Sequence, residues 1–111
     1  IDLHSPPGGK GTSGGYAGSD GGLFADRAAQ DKFVEVWQRM ARKYRDAKAV
    51  WGYDLVNEPV EDYVAADCDD WQALAERAAK AIRAIDPERA IICEAPPWGG
   101  PDSLASTICR T

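Results

Sequence analysis

Apolar residues recur at steps of three and four from about residue 26 to residue 44, which predicts an amphipathic helix. This first stripe consists of Phe33, Val36, Trp37, Met40 and Tyr44. A second helix is predicted from about residue 71 to residue 85, with Asp69 or Asp70 as its N-cap. Its stripe consists of Trp71, Leu74, Ala78, Ala81, Ile82 and Ile85. Both stripes are typical of helix faces that pack against a core.

Three other segments carry strand patterns. Residues 50–57 are nearly continuous in apolar and aromatic side chains, as in a strand covered on both faces. Pro59 ends this strand because proline lacks the N–H that a sheet requires. Residues 90–95 predict another strand, which a Pro/Gly turn at 96–101 follows, and residues 1–4 resemble the end of a strand.

The predicted order is therefore strand, helix, strand, helix, strand, an α/β arrangement. Crossovers of this length join parallel strands in right-handed units. An open doubly wound sheet and part of an eight-stranded barrel both fit this order, and periodicity alone does not separate them.

Length and charge narrow the class of protein. A chain of 111 residues is one small domain or a piece of a larger one, and the start within a strand favours the piece. The 13 basic and 18 acidic residues give a net charge of −5, which repels phosphates and argues against a nucleic-acid partner. No apolar run approaches the roughly 20 residues that cross a bilayer, so no membrane partner is expected.

The spacing of the cysteine and histidine residues predicts no metal site. Three cysteines and one histidine lack zinc spacing, so neither a metal nor another cofactor is predicted. Cys93 lies in an apolar run and is interpreted as a buried small residue. A disulfide between Cys68 and Cys109 is possible in a secreted protein.

A Gly/Ser/Pro-rich stretch runs from Ser5 to about Gly22, and its residues 9–14 formally match the dinucleotide-binding fingerprint. In that motif the glycines form the tight turn between a strand and a helix. In this chain about a dozen residues separate Gly14 from the next helical pattern, so these glycines do not form such a turn. A glycine-rich loop is therefore the better interpretation, and a nucleotide-binding α/β domain stays as a weaker alternative.

Asn57, Glu58 and Pro59 follow the most apolar predicted strand. Active sites of parallel α/β folds are built at such strand ends. A carboxyl group at this position, partly withdrawn from water, suits a proton donor, and the side chains of Asn57 and Glu58 can both turn toward one ligand. The alternative is a strand-to-loop turn that contains these residues by chance.

At these residues the chain resembles glycoside hydrolase family 5, the cellulase family A enzymes. Residues 50–59, VWGYDLVNEP, resemble the signature of that family's fourth strand. Residues 2–4 are similar to the end of its third strand, and residues 90–100, AIICEAPPWGG, to its fifth strand and following loop. The resemblance implies that residues 1–111 are a partial catalytic domain, a fragment of a (β/α)₈ TIM barrel with strands three to five and the two intervening helices.

The resemblance also implies roles for individual residues. Glu58 matches the general acid/base, and Asn57 matches the residue that hydrogen-bonds the sugar 2-hydroxyl. His4 matches a histidine that lines the subsite next to the cleaved bond. Trp98 is expected either to present its ring to a sugar or to pack against the neighbouring prolines.

The second carboxylate that retaining cleavage requires lies, in this family, after the seventh strand and hence beyond Thr111. Glu94 also sits near a strand end but matches no catalytic position, so it is not expected to be the nucleophile.

The sequence thus predicts a fragment of a secreted, retaining glycoside hydrolase that cleaves β-linked polysaccharide, either cellulose or β-glucan, or mannan. The fragment alone is expected to be inactive. It is also expected to fold poorly, because three strands leave both sheet edges unpaired. A non-catalytic carbohydrate-binding or scaffold module of barrel-derived architecture is the alternative function.

Overall fold

The computed structural model describes residues 1–9, 22–61 and 63–96. Helix α1 spans Arg27–Tyr44, strand β1 spans Gly52–Asp54, helix α2 spans Trp71–Arg83 and strand β2 spans Ala90–Ile92; a 3₁₀ turn at Gly22–Phe24 precedes α1. The two strands pair in parallel, and Asp2 forms an isolated parallel bridge with Asp54 on the other side of β1. The predicted order helix, strand, helix, strand is therefore confirmed, with β1 in the centre, while the strand predicted at residues 1–4 is reduced to the single bridge at Asp2.

Capping side chains fix where both helices begin. The carboxylate of Asp26 accepts the backbone N–H of Ala28 at 2.9 Å, and the carboxylate of Asp70 accepts that of Ala73 at 2.8 Å. These contacts satisfy donors that have no partner within the helix. Helix α1 begins at Arg27 rather than at Gly14, as the glycine-rich loop interpretation expects. The fingerprint residues 10–14 themselves lie outside the described part of the chain.

Both strands are shorter than their apolar runs predicted. Strand β1 covers Gly52–Asp54 rather than residues 50–57, and β2 covers Ala90–Ile92 rather than residues 90–95. Beyond Asp54 the chain still forms backbone hydrogen bonds with the segments on both sides. The N–H of Leu55 donates to the carbonyl of Ile92, and the N–H of Asn57 donates to the carbonyl of Leu3. Trp51, which was predicted to lie in the covered strand, precedes β1 and is 77% exposed.

One hydrophobic core lies between the helices and the strands. Its largest members are Phe33, Trp37, Tyr53, Leu55, Trp71, Leu74 and Ile82, all at most 1% exposed. The Trp37 ring packs on Tyr53 with centroids 5.6 Å apart, and its Nε1–H donates to the carbonyl of Leu55 at 3.2 Å. The predicted helix stripes thus face the core except at Val36 and Ala81, and burial of rings of this size is a main source of stability.

A buried ionic cluster closes the end of the fold at which β1 and β2 begin. Asp86 is 5% exposed and accepts hydrogen bonds from the Tyr53 hydroxyl at 2.9 Å and from Arg89 Nε at 3.0 Å. Burial raises the pKa of Asp86, but the hydrogen bonds from Arg89 and Tyr53 outweigh it and hold that pKa below its ordinary value. Arg89 also donates to backbone carbonyls of the α1–β1 connection, those of Tyr44, Arg45, Ala47 and Val50.

The cysteine predictions need correction. Cys68 carries a free thiol, so the considered bridge from Cys68 to Cys109 is wrong. Its sulfur lies 3.9 Å from Asp67 Oδ1 in the connection that precedes α2, and burial raises the pKa of this thiol. Cys93, interpreted as a buried small residue, is only partly buried and is disulfide-bonded. Cys109 lies outside the described residues.

Candidate active site

Three backbone segments meet at the edge where the parallel strands end. The N–H of Leu3 donates to the carbonyl of Asp54 at 3.2 Å, and the N–H of Asn57 donates to the carbonyl of Leu3 at the same distance. On the other side, Leu55 donates to the carbonyl of Ile92 at 3.1 Å. The residues that follow the Asp2 bridge, β1 and β2 therefore emerge side by side, as parallel pairing requires.

His4 and Asn57 are brought together at this edge. Asn57 Nδ2 lies 3.3 Å from His4 Nε2, and His4 Nδ1 lies 3.0 Å from Asp2 Oδ2. A carboxylate only accepts, so Nδ1 carries the proton and Nε2 accepts from the Asn57 amide. The imidazole ring is thereby held between Asp2 and Asn57 with its orientation fixed.

Glu58 follows Asn57 with a φ of +48°, in the left-handed region that non-glycine residues rarely adopt. Its backbone N–H donates to Glu94 Oε2 at 2.8 Å. Its side chain is exposed, whereas the sequence predicted one partly withdrawn from water. Within the described residues, the three segments that form this edge do not cover the side chain of Glu58.

Glu94 is the site residue that sequence reasoning set aside. It follows β2 as Asn57 and Glu58 follow β1, and its carboxylate binds the backbone of Glu58. Its own carbonyl accepts the Trp71 Nε1–H at 2.8 Å, so the first residue of α2 holds it in place. The sequence signal that could have identified Glu94 as a site residue is its position just after β2, the strand that pairs with β1.

Asp54 adds a second carboxyl group beneath this edge. Burial, together with the negative charges of Glu94 and Asp2, raises the pKa of Asp54 to about 6. Its Oδ1 is buried and has no hydrogen-bond partner within the described part of the chain. At mildly acidic pH the Asp54 carboxyl group therefore retains its proton.

The connection between Glu58 and α2 is anchored at several points. The buried Gln30 donates from Nε2 to the carbonyl of Asp69 at 2.8 Å and accepts the N–H of Asp69 at 2.9 Å. The Glu61 carboxylate accepts the backbone N–H of Trp71, and Ala65 donates to the carbonyl of Phe24 at 2.9 Å. The segment that carries Glu58 is thus fixed at both of its ends.

Trp98, the remaining predicted site residue, lies outside the described residues, and its role stays a prediction. In residues 1–9, 22–61 and 63–96, no group of three or more His, Cys, Asp or Glu residues could hold a metal ion. Within the same residues, no helix has the length and apolar character needed to cross a membrane.

Comparison with known proteins shows the family of the chain. The family model "Cellulase (glycosyl hydrolase family 5)" matches residues 1–108. Endoglucanase C of Acetivibrio thermocellus is 31% identical over 107 residues, which are 94% of this chain and 28% of that protein. A beta-xylosidase of Phanerodontia chrysosporium is 31% identical over 99 residues, 85% of this chain and 19% of that protein.

The crystal structure of endoglucanase Cel5A from Thermotoga maritima superposes with a TM-score of 0.67 at 28% identity, covering 80% of this chain and 28% of that one. The chain therefore spans less than a third of the length of these relatives. The order of elements, the parallel strands and this superposition resolve the choice that periodicity left open, in favour of the barrel over the doubly wound sheet. The chain belongs to glycosyl hydrolase family 5, and its fold is a part of that family's (β/α)₈ barrel.

Proposed function

We propose that the full-length protein carrying this segment is a retaining glycoside hydrolase that acts on β-linked polysaccharide, with Glu58 as its general acid/base. The observation that carries the proposal is the contact between Asn57 and His4 at the edge where the parallel strands end, with Glu58 next to Asn57 in the chain. Family membership over residues 1–108 supports the same chemistry. No cofactor is required, and the family resemblance supports secretion.

Each residue then has a defined role. The carboxyl group of Glu58 gives its proton to the glycosidic oxygen, which keeps the electron pair of the breaking bond. A second carboxylate, at about 5–5.5 Å from the first, bonds to the anomeric carbon. Glu58 next takes a proton from the water that displaces this carboxylate. Asn57 donates to the sugar 2-hydroxyl, and His4 lines the adjoining subsite.

The second carboxylate is proposed to lie outside residues 1–111. Glu94 is a poor candidate because its Oε2 is already bound to the backbone of Glu58. The 111-residue chain alone is therefore proposed to be inactive.

The solved structures that resemble this chain support a substrate class. Thermotoga maritima Cel5A has been crystallised in complex with cellobiose and with mannotriose, in chains 27% and 26% identical to this one. We infer that the full-length protein hydrolyses β-linked glucan or mannan. Trp98 is proposed to present its ring to one of the sugars.

The proposal is tested by Glu58→Gln in the full-length protein. The amide cannot protonate a leaving group, so kcat on an unactivated oligosaccharide should fall by about 10²–10⁴-fold. The loss should be much smaller on an aryl glycoside, whose leaving group needs little protonation. Equal losses on the two substrates would contradict the role of Glu58.

A further inference from the structure

Glu58 has a backbone conformation that its own side chain disfavours. Among the described residues, Glu58 is the one non-glycine residue with a positive φ, which is +48°. Such a conformation persists only where surrounding contacts impose it, and it is found often at functional sites. The contacts of the Glu58 backbone therefore decide where its carboxyl group points.

The contact that holds this backbone comes from the neighbouring strand. Glu94 Oε2 accepts the Glu58 N–H at 2.8 Å, a hydrogen bond to a charged acceptor. Glu94 is itself fixed, because Trp71 Nε1 donates to its carbonyl at 2.8 Å and Ala95 next to it is buried. The orientation of Glu58 is thus transmitted from β2 and α2, not from β1 alone.

We propose that Glu94 is a positioning residue for proton transfer, which holds the Glu58 backbone so that its carboxyl group reaches the bond that Asn57 and His4 address. The proposal rests on the role of Glu58 given above. Glu94 donates no proton to substrate and forms no bond with it; it acts through the N–H of Glu58.

The test compares Glu94→Ala with Glu94→Gln in the full-length protein. An alanine removes the acceptor, whereas the glutamine amide oxygen can still accept the Glu58 N–H. We expect E94A to lower kcat on an unactivated β-linked oligosaccharide by about 10–100-fold, with KM nearly unchanged, as for a misplaced catalytic group. The loss on an aryl glycoside should be smaller, and E94Q should recover most of the activity.

Asp26→Ala is the matched control. Asp26 also has a carboxylate that accepts a backbone N–H, but that N–H belongs to Ala28 at the start of α1. Its loss should lower the melting temperature without changing the ratio of activities on the two substrates. If E94A behaves like D26A, Glu94 has only a structural role and the proposal is wrong.

Two further outcomes are decisive. If E94Q is as inactive as E94A on both substrates, the charge of Glu94 is needed in the reaction itself, and the positioning role is wrong. In an E58Q background E94A should cause no additional loss on the oligosaccharide, because the group it positions is gone. If E58Q lacks the leaving-group dependence, the proposed function fails; if E58Q shows it and E94A does not, only the role of Glu94 fails.

Discussion

Asn57 is held through both its backbone and its side chain. Its N–H donates to the carbonyl of Leu3, and its amide nitrogen contacts His4 at 3.3 Å. Both contacts reach residues that are more than 50 positions away in the sequence. For its proposed contact with a sugar hydroxyl, an amide fixed in this way needs no rearrangement, which favours catalysis by preorganised groups.

Asp54 should make stability depend on pH, because its folded pKa of about 6 lies above its ordinary value of 3.8. Between these values the folded state binds more protons than the unfolded state, so stability should fall as the pH rises from about 4 to 6. The loss of stability caused by ionisation of Asp54 is absent below this pH range and reaches its full size above it. Asp54→Asn should remove this part of the decline in urea unfolding of the full-length protein.

The matched control for this prediction is Asp46→Asn. Its side chain is 94% exposed, on the α1–β1 connection. This substitution should leave the slope of stability against pH unchanged. If D54N leaves the slope unchanged as well, Asp54 does not retain its proton in the folded state.

At the scale of elements, the connections between helices and strands depend on buried polar contacts. Arg89 joins the start of β2 to the α1–β1 connection and to Asp86. Gln30 of α1 does the same for the connection that precedes α2. These contacts satisfy backbone groups that the short strands leave unpaired.

Arg89→Ala should clearly lower the urea midpoint of the full-length protein, because it leaves the buried Asp86 carboxylate without its charge partner. The measurement is urea unfolding at neutral pH. Arg39→Ala is the control, since the side chain of Arg39 is 70% exposed and its ion pair with Glu35 should contribute little to stability. Equal small losses for both variants would show that the Asp86–Arg89 pair adds nothing to stability.

The helices could be predicted closely from the sequence and the strands less well. Hydrophobic period and capping residues are local signals. The predicted start of α1 therefore lies within one residue of the observed start, and the predicted end of α2 lies within two residues of the observed end. The apolar run at residues 50–57 indicates which side chains are buried, and burial continues to Val56. It does not indicate where the strand hydrogen bonding ends, which is at Asp54. The contacts of Glu94 and Arg89 could not be predicted, because they depend on the register between segments about 40 residues apart.

At the scale of the whole molecule, this chain spans 28% of Endoglucanase C. Within the described residues the sheet has two strands and one bridged segment, which leave the outer edges of residues 1–3 and of β2 without a partner. A complete barrel of about 250 residues closes such edges and encloses the residues at the strand ends. The exposure of Glu58 and the unpartnered oxygen of Asp54 both fit a segment whose neighbours belong to the rest of a barrel.

We therefore predict that residues 1–111 alone fold poorly. Urea unfolding of this chain, followed by near-ultraviolet circular dichroism, should give a weak and gradual change. The full-length protein should give a steep transition under the same conditions. A single cooperative transition for the 111-residue chain would contradict this prediction, since it would show that the segment is stable without partners for its edges.

The most direct test of Glu58 as the proton donor is the pH dependence of kcat/KM for the full-length protein and for E58Q on an unactivated β-linked oligosaccharide, whose leaving group needs the proton. The unaltered protein should give a bell-shaped profile, whose alkaline limb reports loss of the proton from the general acid. In E58Q this alkaline limb should disappear while the acidic limb remains. A profile for E58Q with both limbs in place would contradict the assignment, because another group would then supply the proton.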